Sequence, residues 1–112
     1  MSDVFFPDAG IQTEILEPGQ VSRKVRARGG TLMLVEVFFE DGAIGTEHTH
    51  PHEQVSYCLA GEFQFTVEGV TSTLRTGDSV FIPASALHGT RCVAAGRLLD
   101  TFTPQREDFL KA

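Results

Sequence analysis

No apolar run in this chain approaches the roughly 20 residues a membrane-spanning helix takes, and no linker, internal repeat or low-complexity tract interrupts it. Basic residues are in deficit: 9 Lys and Arg stand against 15 Asp and Glu, for a net charge of −6. That balance disfavours a nucleic-acid partner, which calls for a basic surface; beyond that, acidity mainly favours solubility. No segment reads as a helix-turn-helix. Cysteine is scarce too. Cys58 and Cys92 fall short of a disulfide framework, so two buried thiols are expected. Met1-Ser2-Asp3-Val4 lacks the basic stretch followed by an apolar one that marks a secretory signal, and a cytoplasmic protein is expected. What remains is a chain of 112 residues, 41% hydrophobic, enough for one core and one domain spanning residues 1–112.

The punctuation is that of an all-β protein. Runs rich in Val, Phe, Thr and Leu predict strands at Val21 to Arg28, Thr31 to Phe39, Gln54 to Leu59, Glu62 to Val67, Thr71 to Leu74, Ser79 to Ile82, Gly89 to Val93 and Arg97 to Phe102. Breaks come from Glu40-Asp41-Gly42, Ala60-Gly61, Glu68-Gly69, Thr76-Gly77-Asp78 and Ala94-Ala95-Gly96. In Glu62-Phe63-Gln64-Phe65-Thr66-Val67 the apolar residues fall on every second position, as in a half-buried strand. About eight such strands need closure or a second sheet to manage their edges, which favours a barrel or a jelly roll. Only Arg106 to Ala112 reads as helical, a short C-terminal tail.

All four histidines sit in two places: His48, His50 and His52 within Gly-Thr-Glu-His-Thr-His-Pro-His-Glu-Gln, and His88 well downstream. Residues two apart on a strand share a face, so His48 and His50 can aim at one ion. Gln54 has the same parity beyond Pro51, and its amide oxygen is a candidate ligand; His88 follows a proline turn and can join from an adjacent strand. Three imidazoles and one oxygen suit a single divalent first-row ion (Ni, Zn, Mn, Fe or Co), and ligand softness does not choose among them. The bland alternative is a histidine-rich surface loop, which His-x-His plus a distant partner outweighs. His52, directly after Pro51, and Glu53, of opposite parity, are assigned to the loop or to orienting a ligand from behind.

These spacings resemble the two signature motifs of the cupin superfamily. Gly42, His48-x-His50, Gln54 and Gly61 match the first, and Gly77, Pro83 and His88 the second. The resemblance implies a cupin double-stranded β-helix, a jelly-roll barrel. It also carries departures: the usual glutamate ligand is Gln54, a usual glycine is Ser85 and a usual asparagine is Cys92. A neutral amide leaves the ion its full dipositive charge, which strengthens it as a Lewis acid and stabilises a ferric state less well, an argument against oxygen chemistry.

A narrower resemblance covers nearly the whole chain. His48 to Gln54, Gly61-Glu62-Phe63 and the ending Leu99 to Leu110 are similar to the pectin-degradation cupins known as KdgF, in which glutamine also replaces the glutamate. The resemblance implies a metal-dependent isomerase that takes a small 4,5-unsaturated monouronate, left by pectin or alginate lyases, to its linear keto form. It implies catalytic roles for Asp100, Phe102 and Arg106, and a homodimer, with Val21 to Arg28 as a candidate edge for the contact. Independently, Leu98, Asp100 and Phe102 share a strand face, and a carboxylate in an apolar row needs a partner or a purpose. A structural Asp100–Arg106 pair, with Phe102 simply in the core, is the competing explanation. Two rival functions on the same fold are a non-haem iron dioxygenase, which consumes oxygen, and a sugar-binding or sensor module that is not an enzyme.

Overall fold

The computed structural model describes residues 3–110, and the architecture is an antiparallel jelly roll. Its eight strands are β1 (Glu14–Glu17), β2 (Val21–Gly29), β3 (Leu32–Phe39), β4 (Ile44–His48), β5 (Glu53–Val67), β6 (Val70–Arg75), β7 (Ser79–Ile82) and β8 (His88–Thr103). Strands β5 and β8 run through both layers. Their halves near Glu53 and Thr103 join β3 and β7 in one layer, and their halves near Val67 and His88 join β4 and β6 in the other.

The two longest strands explain the main departures from expectation. Gln54 to Leu59 and Glu62 to Val67 are one strand, as are Gly89 to Val93 and Arg97 to Phe102. The glycines that read as breaks are bends. Gly61 has φ +89°, a left-handed conformation, and a Cβ there would come within 2.5 Å of the Ala94 carbonyl oxygen. A Cβ on Gly96 would come within 1.9 Å of the Ala60 oxygen. The chains cross at their bends with no room for a side chain, and pairing shifts register there without ending.

Strands β1 and β4 lay outside the sequence expectation because neither alternates: every residue of β1 is exposed, and β4 is exposed at all but Gly45. β1 covers only the start of the expected free edge, pairing with β2 at Val21, Ser22 and Arg23, while β3 flanks the other side. The C-terminal tail forms a 3₁₀ turn at Glu107–Leu110 rather than a helix; Lys111 and Ala112 lie outside the described residues.

The core lies between the layers. Met33, Val35, Val37 and Phe39 alternate inward along β3 and meet Cys58, Phe63, Cys92, Leu98 and Phe102. Phe39 meets Phe63 edge-on, with ring centroids 5.2 Å apart. Both cysteines are free and buried, as expected. No helix among the described residues is long and apolar enough to cross a membrane. At one end this apolar interior gives way to a polar cluster.

Candidate metal centre

Two strand ends and a loop bring the histidines together. His48 is the last residue of β4 and pairs with His88, the first of β8. His50 lies just beyond β4 in irregular chain, so parity along a strand is not what aims it. Candidate ligand atoms of His48, His50 and His88 all lie within 4.8 Å of one another. His50 and His88 are buried and His48 is exposed.

Each imidazole is held from behind by a backbone carbonyl. Nδ1 faces the Thr46 oxygen at 2.8 Å in His48, the His52 oxygen at 3.1 Å in His50 and the Ala86 oxygen at 2.9 Å in His88. A proton on Nδ1 satisfies each contact and leaves the Nε2 lone pair free, the arrangement typical of metal-binding histidine. Burial pushes the pKa of His50 and of His88 down, which favours the neutral ring that ligates.

Two details test whether a cation fits. Nε2 of His88 is buried and has no hydrogen-bond partner among the described residues. Nε2 of His50 sits 3.0 Å from Oε1 of Gln54 while its Nδ1 also faces an oxygen, and a neutral ring has one proton for two acceptors. A cation bound by both Nε2 and Oε1 resolves that conflict. The residues present fit a metal ion held by His48, His50, Gln54 and His88.

Behind Gln54 lies a residue the sequence reading missed. Ser56, completely buried, accepts from Gln54 Nε2 at 2.9 Å and donates to Asp100 Oδ1 at 2.6 Å. The amide nitrogen is thereby committed to Ser56, and the oxygen faces the imidazoles. The available signal was a hydroxyl two positions beyond Gln54, at the same parity on a strand whose neighbouring inward residues are Gln54 and Cys58.

Asp100 and Phe102 face inward with Leu98, as the alternation predicts. Burial pushes the Asp100 carboxyl up to about 6, against the opposing hydrogen bond from Ser56 and the charge of Arg106. The competing Asp100–Arg106 pair is not what forms. Arg106 Nε and Nη2 instead bind both carboxylate oxygens of Asp108, at 3.1 and 2.9 Å, and hold that carboxyl below its usual range. Arg106 also lies over the rings of Phe102 and Phe109, at 5.2 and 4.3 Å. Phe102 in turn meets the His50 ring edge-on at 5.8 Å.

His52 lies in the loop, as the sequence reading assigned it, whereas Glu53 is the first residue of β5 and touches no ligand imidazole. His52 supplies its carbonyl to His50, and its own ring is 5.4 Å from that of His50. Glu53 is exposed. One cavity of about 360 Å³ joins His48, His88, Gln54, Asp100, Phe102 and Arg106, a volume suited to a small polar molecule.

Histidines converging at the open end of a jelly roll, with the rest of the barrel filled by side chains, define a cupin, and the cupin domain family matches residues 35–102. Within that family, the chain belongs to the KdgF proteins. It is 40% identical over 108 residues to the pectin degradation protein KdgF of Dickeya dadantii (strain 3937), covering 95% of this chain and 97% of the relative. The solved structure of KdgF from Halomonas sp. is 34% identical, covers 94% of this chain and 98% of that one, and superposes with a TM-score of 0.87. An RmlC-like cupin from Shewanella frigidimarina is 41% identical over 96% of both chains, with a TM-score of 0.90.

Proposed function

We propose that this protein is a metal-dependent isomerase that opens a 4,5-unsaturated monouronate and delivers its linear ketone. The observation that carries the reading is the hydrogen-bonded line from Asp100 through Ser56 to Gln54, which couples a buried carboxylate to the imidazole cluster within one cavity. KdgF membership supports the substrate class, since the Dickeya relative is a pectin degradation protein.

His48, His50, Gln54 and His88 would hold the ion, which when bound supplies Lewis-acid charge for the substrate carboxylate and for oxygen on which negative charge develops. The residues around it perform the rest. Asp100, a carboxylate on the cavity wall, takes the proton from the C1 hydroxyl. The C1–O5 bond then breaks, C1 becomes an aldehyde, and the electrons of the C4=C5 double bond receive a proton at C4 as C5 becomes a ketone. One proton leaves O1 and one arrives at C4, so neither water nor a redox partner is consumed. Phe102 gives the ring an apolar wall, and Arg106, already oriented by Asp108 and Phe109, offers the cation that draws an anionic sugar to this end of the barrel.

The test is to mix purified, metal-loaded protein with an unsaturated monouronate and follow the ultraviolet absorbance of its enol ether. The absorbance should fall, a chelator should stop it, and an oxygen electrode should stay flat. Asp100→Ala should retain the metal and lose about 10²–10⁴-fold in rate, the usual cost of removing a positioned acid or base. Wild-type turnover in that variant removes Asp100 from the mechanism; oxygen uptake replaces the isomerase with a dioxygenase.

A further inference from the structure

Arg23 is an inward-facing arginine in a row of apolar residues. It lies on β2 opposite Val37 and two residues from Val21 and Val25, its side chain is only 12% exposed, and it lines the cavity that holds the metal-site residues. Its Nε and Nη2 bind both carboxylate oxygens of Glu14 on β1, each at 3.0 Å. Its guanidinium carbon lies 3.5 Å from the centroid of Phe109, the ring that Arg106 also covers at 4.3 Å. Phe109 in turn meets Phe102 at right angles, 5.7 Å between centroids.

Two cations thus share one aromatic ring, each gripped along the same guanidinium edge by its own carboxylate, Glu14 for Arg23 and Asp108 for Arg106. They differ in reach. The charge of Arg106 bears on His50, His88 and Asp100, whereas Arg23 is tied back to the exposed strand β1. Besides that tie, the firmest contact Arg23 makes is with Phe109, on the segment that carries Arg106.

We infer that Arg23 is a positioning residue: by stacking on Phe109 it fastens the 3₁₀ turn at Glu107–Leu110 over the barrel mouth and so holds Arg106 facing the anion. Glu14, Arg23, Phe109, Arg106 and Asp108 form a clasp between the N-terminal hairpin and the C-terminal tail. The role rests on the isomerase reading only for what Arg106 binds; the clasp itself is independent of the reaction. The stack needs a flat cation, so lysine, which keeps the charge but not the plane, should not replace it.

The experiment uses Arg23→Gln, Arg23→Lys and Phe109→Leu, with Arg23→Gln also combined with Arg106→Ala. Two readouts are taken: the Nε–H resonance of Arg106 in the nitrogen–proton spectrum, and steady-state kinetics on an unsaturated monouronate. The Arg106 resonance should move towards its free-arginine position in all three single variants. KM should rise about tenfold, roughly what a desolvated cation–π contact supplies, with kcat within about twofold of wild type. In the Arg106→Ala background, Arg23→Gln should add almost nothing. An unmoved Arg106 resonance overturns the proposal, as does full activity in Arg23→Lys. Multiplicative losses in the double variant also overturn it, because Arg23 would then act on the substrate by itself. A wild-type protein inert towards the monouronate sinks the isomerase reading instead, and the Arg106 resonance still decides the clasp.

Discussion

Ser56 has one hydroxyl, fully buried, that serves a candidate ligand on one side and a candidate base on the other. Ser56→Ala leaves Asp100 buried without that donor, at a cost of about 1–3 kcal/mol, and frees the Gln54 amide to rotate. We expect metal affinity to fall about 10–100-fold, the usual effect of losing a group that orients a ligand, as read by calorimetric titration with Ni²⁺ or Zn²⁺. Unchanged affinity means Gln54 is held by something else. The thiols give a second prediction. Burial pushes Cys58 and Cys92 up from the ordinary thiol range, so little thiolate forms near neutrality. A disulfide reagent at pH 8 should find no reactive thiol in the folded protein and both after unfolding; rapid native labelling would mean the core opens there. At this scale the sequence was informative where chemistry is rare, in the four histidines, and in Asp100, an acid in an apolar row. It was silent on Ser56, a common residue whose importance appears only when register pairs it with Asp100 across β5 and β8.

Strand β5 and strand β8 show what alternation can and cannot convey. Inward and outward residues are legible wherever one face is buried, which is why Glu62 to Val67 and Leu98 to Phe102 were assigned correctly. Glycine is ambiguous, because the same residue marks a chain reversal or a crossing. Gly69, with φ +78° and open space around it, belongs to the turn between β5 and β6; Gly96 belongs to a crossing. β1 and β4 are almost wholly exposed, so hydropathy had nothing to report, yet β4 delivers His48 and β1 anchors Arg23. The distinction between the two glycines is measurable. A methyl at Gly96 would run into the backbone of Ala60 and Gly61, so Gly96→Ala should cost about 3–5 kcal/mol, within the range reserved for severe packing faults. Gly69→Ala carries only the left-handed backbone penalty, about 1–2 kcal/mol. Urea midpoints of the two variants should differ clearly, and equal midpoints would deny that the two strands are locked at their bends.

Across the whole molecule the net charge is negative, while the cavity is lined by two imidazoles, His48 and His88, and two guanidiniums, Arg23 and Arg106, with Asp100 and Glu17 as its acids. A net charge of −6 repels anions at long range, so on the proposed reading capture of an anionic sugar would be local, by the ion and Arg106 within the cavity. The same ion should also bind the barrel together. His48, His50 and Gln54, from the end of β4 to the start of β5, and His88 on β8 come from two distant stretches of chain, so the unfolded protein lacks the complete cluster. Binding to the folded state alone stabilises it by about 2.7 kcal/mol at a hundredfold excess of free metal over Kd. For a domain of this size that raises Tm by about 10 °C. Scanning calorimetry with Ni²⁺, Zn²⁺, Mn²⁺ or Co²⁺ should show the rise for at least one ion, with reversal by a chelator and loss in His50→Ala and His88→Ala. Phe102→Leu, which keeps the cluster and only reshapes the wall, should retain the rise. If none of the four ions moves Tm, the conflict at His50, one proton between two acceptors, must be resolved by protonation instead. Metal-dependent catalysis would then have no site in which to occur.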